Sequence, residues 1–125
     1  MQDFAYHRPA TIEAALGLLA APGAWALAGG TDFVAQMREL RKTAAHVVDL
    51  KSIPELGRID VNAAGGVTIG AAVTASAIAG HPHIGRYFPA VATACRLIGS
   101  WQIQNRATLV GNVCAQFRRS LFQRR

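Results

Sequence analysis

The sequence is poor in cysteine and in acidic residues, and it lacks several common motifs. Its two thiols, Cys95 and Cys114, form no CxxC pair and no disulfide framework, so a reducing, cytoplasmic setting is expected. No apolar run approaches the roughly 18 residues that a membrane helix needs. The opening MQDFAYHRPATIE carries an early acid and no apolar core segment, which argues against a signal peptide. No GxxxxGKS/T stretch occurs, which excludes a P-loop, and the glycines do not follow GxGxxG, so a Rossmann dinucleotide fold is not supported. The seven acids, Asp3, Glu13, Asp32, Glu39, Asp49, Glu55 and Asp60, are scattered. No acid–base pair can be argued from them, and Cys114 has no histidine at readable spacing, so no catalytic residue is expected. In His81-Pro82-His83 a proline separates the two imidazoles and no third ligand lies near. A surface loop from Pro82 to Pro89, rather than a metal site, is expected there.

What the chain does have is apolar material and a skewed charge. Hydrophobic residues make up 51% of its 125 residues, enough for a core in one domain or in part of a larger one. The formal net charge is +6, but Arg118, Arg119, Arg124 and Arg125 crowd into the last eleven residues, AQFRRSLFQRR. That leaves +2 for residues 1–114. An ordinary body with a basic tail does not have the patch of a nucleic-acid-binding protein, and neither a nucleic-acid nor a membrane partner is expected.

Local signals order the chain. FAYHRP (4–9) reads as an edge strand. Thr11 caps a helix in TIEAALGLLA (11–20), and AWALAGG (24–30) reads as a strand closed by glycines. TDFVAQMREL (31–40) reads as a helix capped by Thr31 or Asp32, and AHVVDL (45–50) as a buried strand. Alternating strands and helices predict a small parallel or mixed α/β unit with right-handed crossovers. After Ile53 the pattern changes. LGRIDVN (56–62) and GVTIGA (66–71) form a hairpin, TASAIAGH (74–81) a helix capped by Thr74, and PAVATACRLIG (89–99) a helix opened by proline and closed by glycine. The segment SWQIQNRATLVGNVC (100–114) sets amides and hydroxyls in an apolar frame, a composition suited to hydrogen-bond networks. The expected division is an N-terminal α/β subdomain over 1–54, a second α+β subdomain over 55–114, and a basic tail over 115–125.

Two glycine-bearing stretches invite a ligand. Gly29-Gly30-Thr31-Asp32 joins a strand to a helix start, where side-chain-free backbone and unpaired N–H groups favour an anion such as a diphosphate. A tight turn with nothing bound accounts for the same residues. Thr108-Leu109-Val110-Gly111-Asn112 could hold a second stretch of phosphate or a ring edge, or be a capped turn. Arg106 is equally readable as an anion ligand and as a structural donor.

Taken in order, LAGGTDF (27–33) and IGSWQIQNRATLVGNVC (98–114), with FAYHRPATIEAALGLLA, VVDLKSIPELGRI and GVTIGAAVTASAIAGHP, resemble the FAD-binding domain of the molybdenum hydroxylase family. This is the flavoprotein (medium) subunit of xanthine dehydrogenase and carbon monoxide dehydrogenase type enzymes. The resemblance runs over residues 3–114. It implies an α+β fold of the vanillyl-alcohol-oxidase (PCMH) type, with FAD held between two small α/β subdomains. It also implies that two loops wrap the FAD diphosphate: Leu27, Ala28, Gly29, Gly30, Thr31, Asp32 and Phe33, then Thr108, Leu109, Val110, Gly111 and Asn112. The implied partners are a large subunit carrying the molybdopterin cofactor and a small subunit carrying 2Fe–2S clusters. The implied role is to pass electrons from those clusters through FAD to an acceptor.

The sequence departs from the family at two points. Val110 stands where the family favours a small residue, which would make the second loop bulkier and stiffer. After GNVC the family continues NASPAAD, whose acid also contacts the flavin, whereas this chain reads AQFRRSLFQRR. That departure predicts a truncated or frame-shifted second subdomain with weak or absent FAD binding. A remnant or subunit-interaction module without bound flavin is the alternative expectation, and a basic nucleic-acid binder ranks last.

Overall fold

The computed structural model describes residues 2–122, with side chains through residue 116. Strands β1 (Ala5–His7), β2 (Ala24–Leu27) and β3 (His46–Asp49) make one parallel sheet in the order β1-β3-β2. Tyr6 and Trp25 both lie opposite Val47, and Leu27 lies opposite Asp49. Helix α1 (Ile12–Leu19) links β1 to β2, and α2 (Phe33–Arg38) links β2 to β3. This is the expected alternation, and the mixture of helix and strand is that of the expected α+β class.

The central strand shows why the unit closes. Side chains alternate across a strand, and Val47 and Val48 are 2% and 0% exposed, on opposite faces. Val48 packs with Ala15 of α1 and with Ile53, flanked by Leu18, Leu19, Leu50 and Leu56. Val47 packs with Met37 of α2 and Ala44, flanked by Phe4, Trp25, Leu27 and Phe33. A strand buried on both faces reads as an unbroken apolar pair, as it does here.

The helix ends follow their caps. Thr11 Oγ1 accepts from the Ala14 N–H at 3.2 Å. The α2 helix is shorter than the 31–40 run suggests. Its N-cap is Asp32, whose carboxylate takes no helix N–H and instead accepts from Gln36 Nε2 at 2.9 Å. It stops because Leu40 takes a left-handed φ of 57°. The Arg41 N–H then donates to the Gln36 carbonyl and the Leu40 N–H to the Met37 carbonyl, at 2.9 and 3.2 Å, the pair of hydrogen bonds that ends many helices.

Beyond two 3₁₀ turns at Leu50–Ser52 and Pro54–Gly57, β4 (Ile59–Val61) and β5 (Val67–Ile69) form an antiparallel hairpin. Asn62 Oδ1 fixes its turn by accepting from the Ala64 and Gly66 N–H groups. Helices α3 (Ala75–Gly80), α4 (Pro82–Tyr87), α5 (Pro89–Arg96), α6 (Trp101–Gln104) and α7 (Leu109–Phe122) follow within the described residues. Val73, Ala75, Ile78, Ala79, Ile84, Ala92 and Cys95 form a core among them, backed by Ile59, Val67 and Ile69 of the hairpin.

One expectation fails here. Residues 82–87 are helical rather than a loop. Proline cannot continue a helix, but at the first helical position its missing N–H costs nothing and its fixed φ suits the start. The helix is held by Ile84, buried in the second core. His83 Nε2 lies 3.0 Å from the Gly65 carbonyl of the hairpin turn, and its ring packs on Tyr87 at 4.6 Å. These contacts give His83 a structural use. Among the described residues no group of three or more metal-binding side chains exists. No helix there is long and apolar enough to cross a membrane. The arginine-rich end enters α7. The side chains of Arg118 and Arg119, and the whole of Arg124 and Arg125, lie outside the described residues.

Candidate functional site

The carboxyl ends of parallel strands are where loops gather into ligand crevices. The chain leaves the end of β2 at Leu27, runs through Ala28-Gly29-Gly30-Thr31 and enters α2 at Phe33. Gly30 needs its φ of 76° to make that turn, a conformation that a side chain resists. The second loop runs from the end of α6 through 105–108 and enters α7 at Leu109.

The two loops touch, backbone to backbone. A Cβ on Gly29 would collide with the Arg106 carbonyl oxygen and stand 2.9 Å from its carbon and 3.0 Å from Ala107 Cα. Gly29 is therefore a glycine because the second loop lies on it. Thr108 pairs with Thr74 in an isolated β-bridge, and the Ala107 carbonyl accepts from the Ala75 N–H at 2.8 Å. The second loop is thus seated on the start of α3. Thr108 Oγ1 also accepts from the Gly111 N–H at 3.1 Å and so serves α7 as a cap.

Between the loops lies a cleft of about 670 Å³. Of the twelve residues expected to gather, eleven line it: Leu27, Ala28, Gly29, Gly30, Thr31, Asp32, Phe33, Thr108, Val110, Gly111 and Asn112. Leu109 does not, because it packs against the α3–α5 core. Arg106 contributes its carbonyl at the loop contact and lies outside the lining. Gln104, from the same amide-rich segment, is buried and donates through Nε2 to the Arg96 carbonyl at 2.7 Å. Arg96 in turn donates to the Ala79 carbonyl at 2.8 Å. Those two side chains tie helix ends together rather than facing a ligand.

Sequence reasoning missed part of the lining. Trp25, Lys42, Ala71, Ile98 and Ile103 all face the cleft, and Lys42 is the one cation among its described lining residues. Its ammonium sits 4.1 Å from the centre of the Trp25 ring and 5.5 Å from that of Phe33, within cation–π range. Nothing local marks Lys42, which follows a helix end in a basic pair. Only the fold brings it to the glycine loop.

Beneath the first loop is a buried carboxylate. Asp49 is 3% exposed. Its Oδ1 accepts from the Lys51 N–H at 2.9 Å and from Lys51 Nζ at 2.7 Å, and the Tyr6 hydroxyl donates to Oδ2. Burial pushes the Asp49 pKa up, but the hydrogen bonds from Lys51 and Tyr6 and the ammonium charge outweigh it and hold it below the ordinary value. The same bond raises the Tyr6 phenol. A carboxyl whose pKa is lowered by folding contributes stability that is complete above its unfolded value, near 4. That stability is lost as pH falls through the lower folded value. Unfolding free energy measured against pH is therefore expected to fall on the acid side of about pH 4, with a shallower fall in Asp49→Asn. An identical acid limb in that variant would remove Asp49 as its cause.

The donors and walls suit a diphosphate-bearing, ring-containing cofactor. The first loop presents glycine backbone at a helix start with no side-chain cap, the second adds hydroxyl and amide groups, Lys42 adds positive charge, and Trp25, Leu27, Ile98 and Ile103 are apolar. The volume falls in the usual range for ligand pockets, about 300–1,000 Å³.

Comparison with known proteins agrees. The family model described as the FAD binding domain in molybdopterin dehydrogenase matches residues 2–120. The xanthine dehydrogenase FAD-binding subunit of Escherichia coli O157:H7 is 40% identical over 116 residues, covering 91% of this chain and 40% of that protein. The aldehyde oxidoreductase FAD-binding subunit of Escherichia coli K12 is 35% identical over 119 residues, covering 94% and 37%. Among solved structures, carbon monoxide dehydrogenase from Hydrogenophaga pseudoflava superposes with a TM-score of 0.85 at 31% identity, over 90% of this chain and 39% of that one. The chain spans about two fifths of the length of the curated relatives it matches. With a family match over nearly its whole length, a shared fold and a cleft of the right chemistry, the chain belongs to the family of FAD-binding domains of molybdopterin dehydrogenases.

Proposed function

We propose that the cleft between the two loops holds FAD. On this reading the domain serves as the electron-transfer component of a molybdopterin-dependent hydroxylase or dehydrogenase, taking electrons from 2Fe–2S clusters on a small subunit and delivering them to an acceptor. The large molybdenum subunit would carry the substrate. The observation that carries the reading is the meeting of two loops, 77 residues apart at Gly29 and Arg106, around one cleft. When bound, the flavin supplies the redox chemistry.

What this chain's own residues do is hold and orient. Gly29, Gly30 and Thr31 offer backbone N–H groups to the diphosphate, and Thr108, Gly111 and Asn112 close on it from the start of α7. Lys42 offsets part of its charge. Trp25, Leu27 and Ile103 exclude water from the apolar part of the cofactor. Val110, in the lining, narrows the second loop's approach. No side chain here needs to move a proton. The division at 54/55 fits the same picture, with each half supplying one loop.

Calorimetric titration of the chain with FAD tests the proposal. Saturation at one flavin per chain, weaker than micromolar as the departure after GNVC predicts and competed by ADP, is the expected outcome. Absence of any binding up to millimolar flavin overturns it and favours a subunit-interaction module instead.

A further inference from the structure

Lys51 lies outside the cleft lining and outside the two loops expected to wrap the diphosphate. Its ammonium nevertheless reaches from the turn after β3 to the first loop. Nζ donates to the Ala28 carbonyl at 3.0 Å and to Asp49 Oδ1 at 2.7 Å. Asp49 is itself anchored, through Oδ1 to the Lys51 backbone N–H and through Oδ2 to the Tyr6 hydroxyl on β1. The register puts Asp49 beside Leu27, the last residue of β2. The carboxylate therefore sits under the point where the glycine loop leaves the sheet. The result is a continuous chain of contacts: Tyr6 on the edge strand, Asp49 on the central strand, Lys51 after it, then the peptide that precedes Gly29. The carboxylate of the ion pair is sheltered, with the Asp49 side chain 4% exposed, and the Lys51 side chain is partly open to solvent at 33%.

We infer that Lys51 is a positioning residue for the cofactor site, and that it does so by clamping the Ala28 carbonyl so that the Gly29–Thr31 amides are set before a ligand arrives. The inference rests on the FAD reading only for its effect on affinity, since the clamp itself is a property of the unliganded loop. Preorganisation reduces the ordering cost at binding. A glycine pair is the most flexible stretch a chain can have, so an external clamp has most to offer there. Hydrogen bonds to charged groups are also the stronger kind in proteins. Lysine rather than a neutral donor suits the task. Its four-carbon stem spans the gap, and one ammonium bonds both the carboxylate and the carbonyl.

The test is Lys51→Met, which keeps the stem and removes the donor, beside Lys51→Arg, which restores it. Backbone nitrogen order parameters in the flavin-free chain are one readout and FAD affinity by titration is the other. In Lys51→Met, the order parameters of Gly29, Gly30 and Thr31 are expected to fall from the range of rigid backbone, about 0.85, toward that of flexible backbone, below about 0.6, while those of Val47 and Val48 stay unchanged, and FAD affinity is expected to fall about tenfold. Lys51→Arg is expected to recover a large part of both. A role in general stability would lower the order parameters in β3 as much as in the loop, and that result overturns the inference. Unchanged loop order parameters in Lys51→Met overturn it too, whether or not flavin binds. Lower loop order parameters with no flavin uptake by the wild-type chain support the clamp and overturn the functional reading.

Discussion

Gly29→Ala is expected to cost the protein both stability and cofactor. The added methyl has no room to form. It would overlap the Arg106 carbonyl, with Arg106 C and Ala107 Cα at 2.9 and 3.0 Å, and all of these are backbone atoms that no rotamer change can move aside. Overpacking of this kind typically costs about 1–3 kcal/mol, and a clash with main chain belongs at the upper end. The strain is relieved only if the two loops separate, which opens the cleft they line. Thermal unfolding should show a midpoint lower by roughly ten degrees, and flavin titration should show an affinity loss larger than the stability loss alone explains. Gly17→Ala is the matched control. Gly17 lies inside α1 with nothing within 4 Å of an added Cβ, so alanine there should be neutral or stabilising by about 0.5–1 kcal/mol. A Gly29→Ala variant that melts and binds like the wild type would show that the loops do not touch.

Ile78→Ala is the second large effect, and it acts from a distance. Ile78 is fully buried on α3, among Val73, Ile84, Ala92 and Cys95. Truncation removes three carbons from a closed core and leaves a cavity, at a cost of about 2–5 kcal/mol. The first turn of α3 is also the seat of the second loop, through the Thr74–Thr108 bridge and the bond from the Ala75 N–H to the Ala107 carbonyl. Denaturant unfolding should therefore show the full loss. Flavin titration well below the melting range should show a smaller but measurable weakening. Leu97→Ala, at a side chain that is 78% exposed, should change stability by no more than about 0.5 kcal/mol. Equal midpoints for the two variants would remove Ile78 from the core.

Features written within a few residues were readable from sequence. Thr11 and Thr74 announce their helices because a cap acts over three residues. Val47-Val48 announces a doubly covered strand because two neighbours point opposite ways. Pro82 misled because the same residue stops one helix and starts the next, and only the burial of Ile84 decides which. The glycines at 29 and 30 were legible as a loop meant for close approach, but not what approaches. At Gly29 the structure puts the second loop's backbone there. Lys42, Lys51 and Gln104 were illegible for a common reason. Asp49 is two residues from Lys51, but the contacts that tie these side chains to the site or to a second helix are with the Trp25 ring, the Ala28 carbonyl and the Arg96 carbonyl, and of these only Arg96, eight residues before Gln104, is at all close in sequence. Even there the bond is set by the angle between two helices, which no local pattern encodes.

The strand order has a consequence for how the chain acquires its shape. β1 and β2 never bond to each other, and each pairs only with β3. During synthesis the first 45 residues therefore carry two strands with no partner, and neither α1 nor α2 has a sheet to cover. The three-stranded sheet can close only once HVVD has emerged, because both other strands pair with it. Until then Phe4, Trp25 and Leu27 lack the Val47 against which they pack, and exposed apolar surface and unpaired strand edges of this kind are where incomplete chains aggregate.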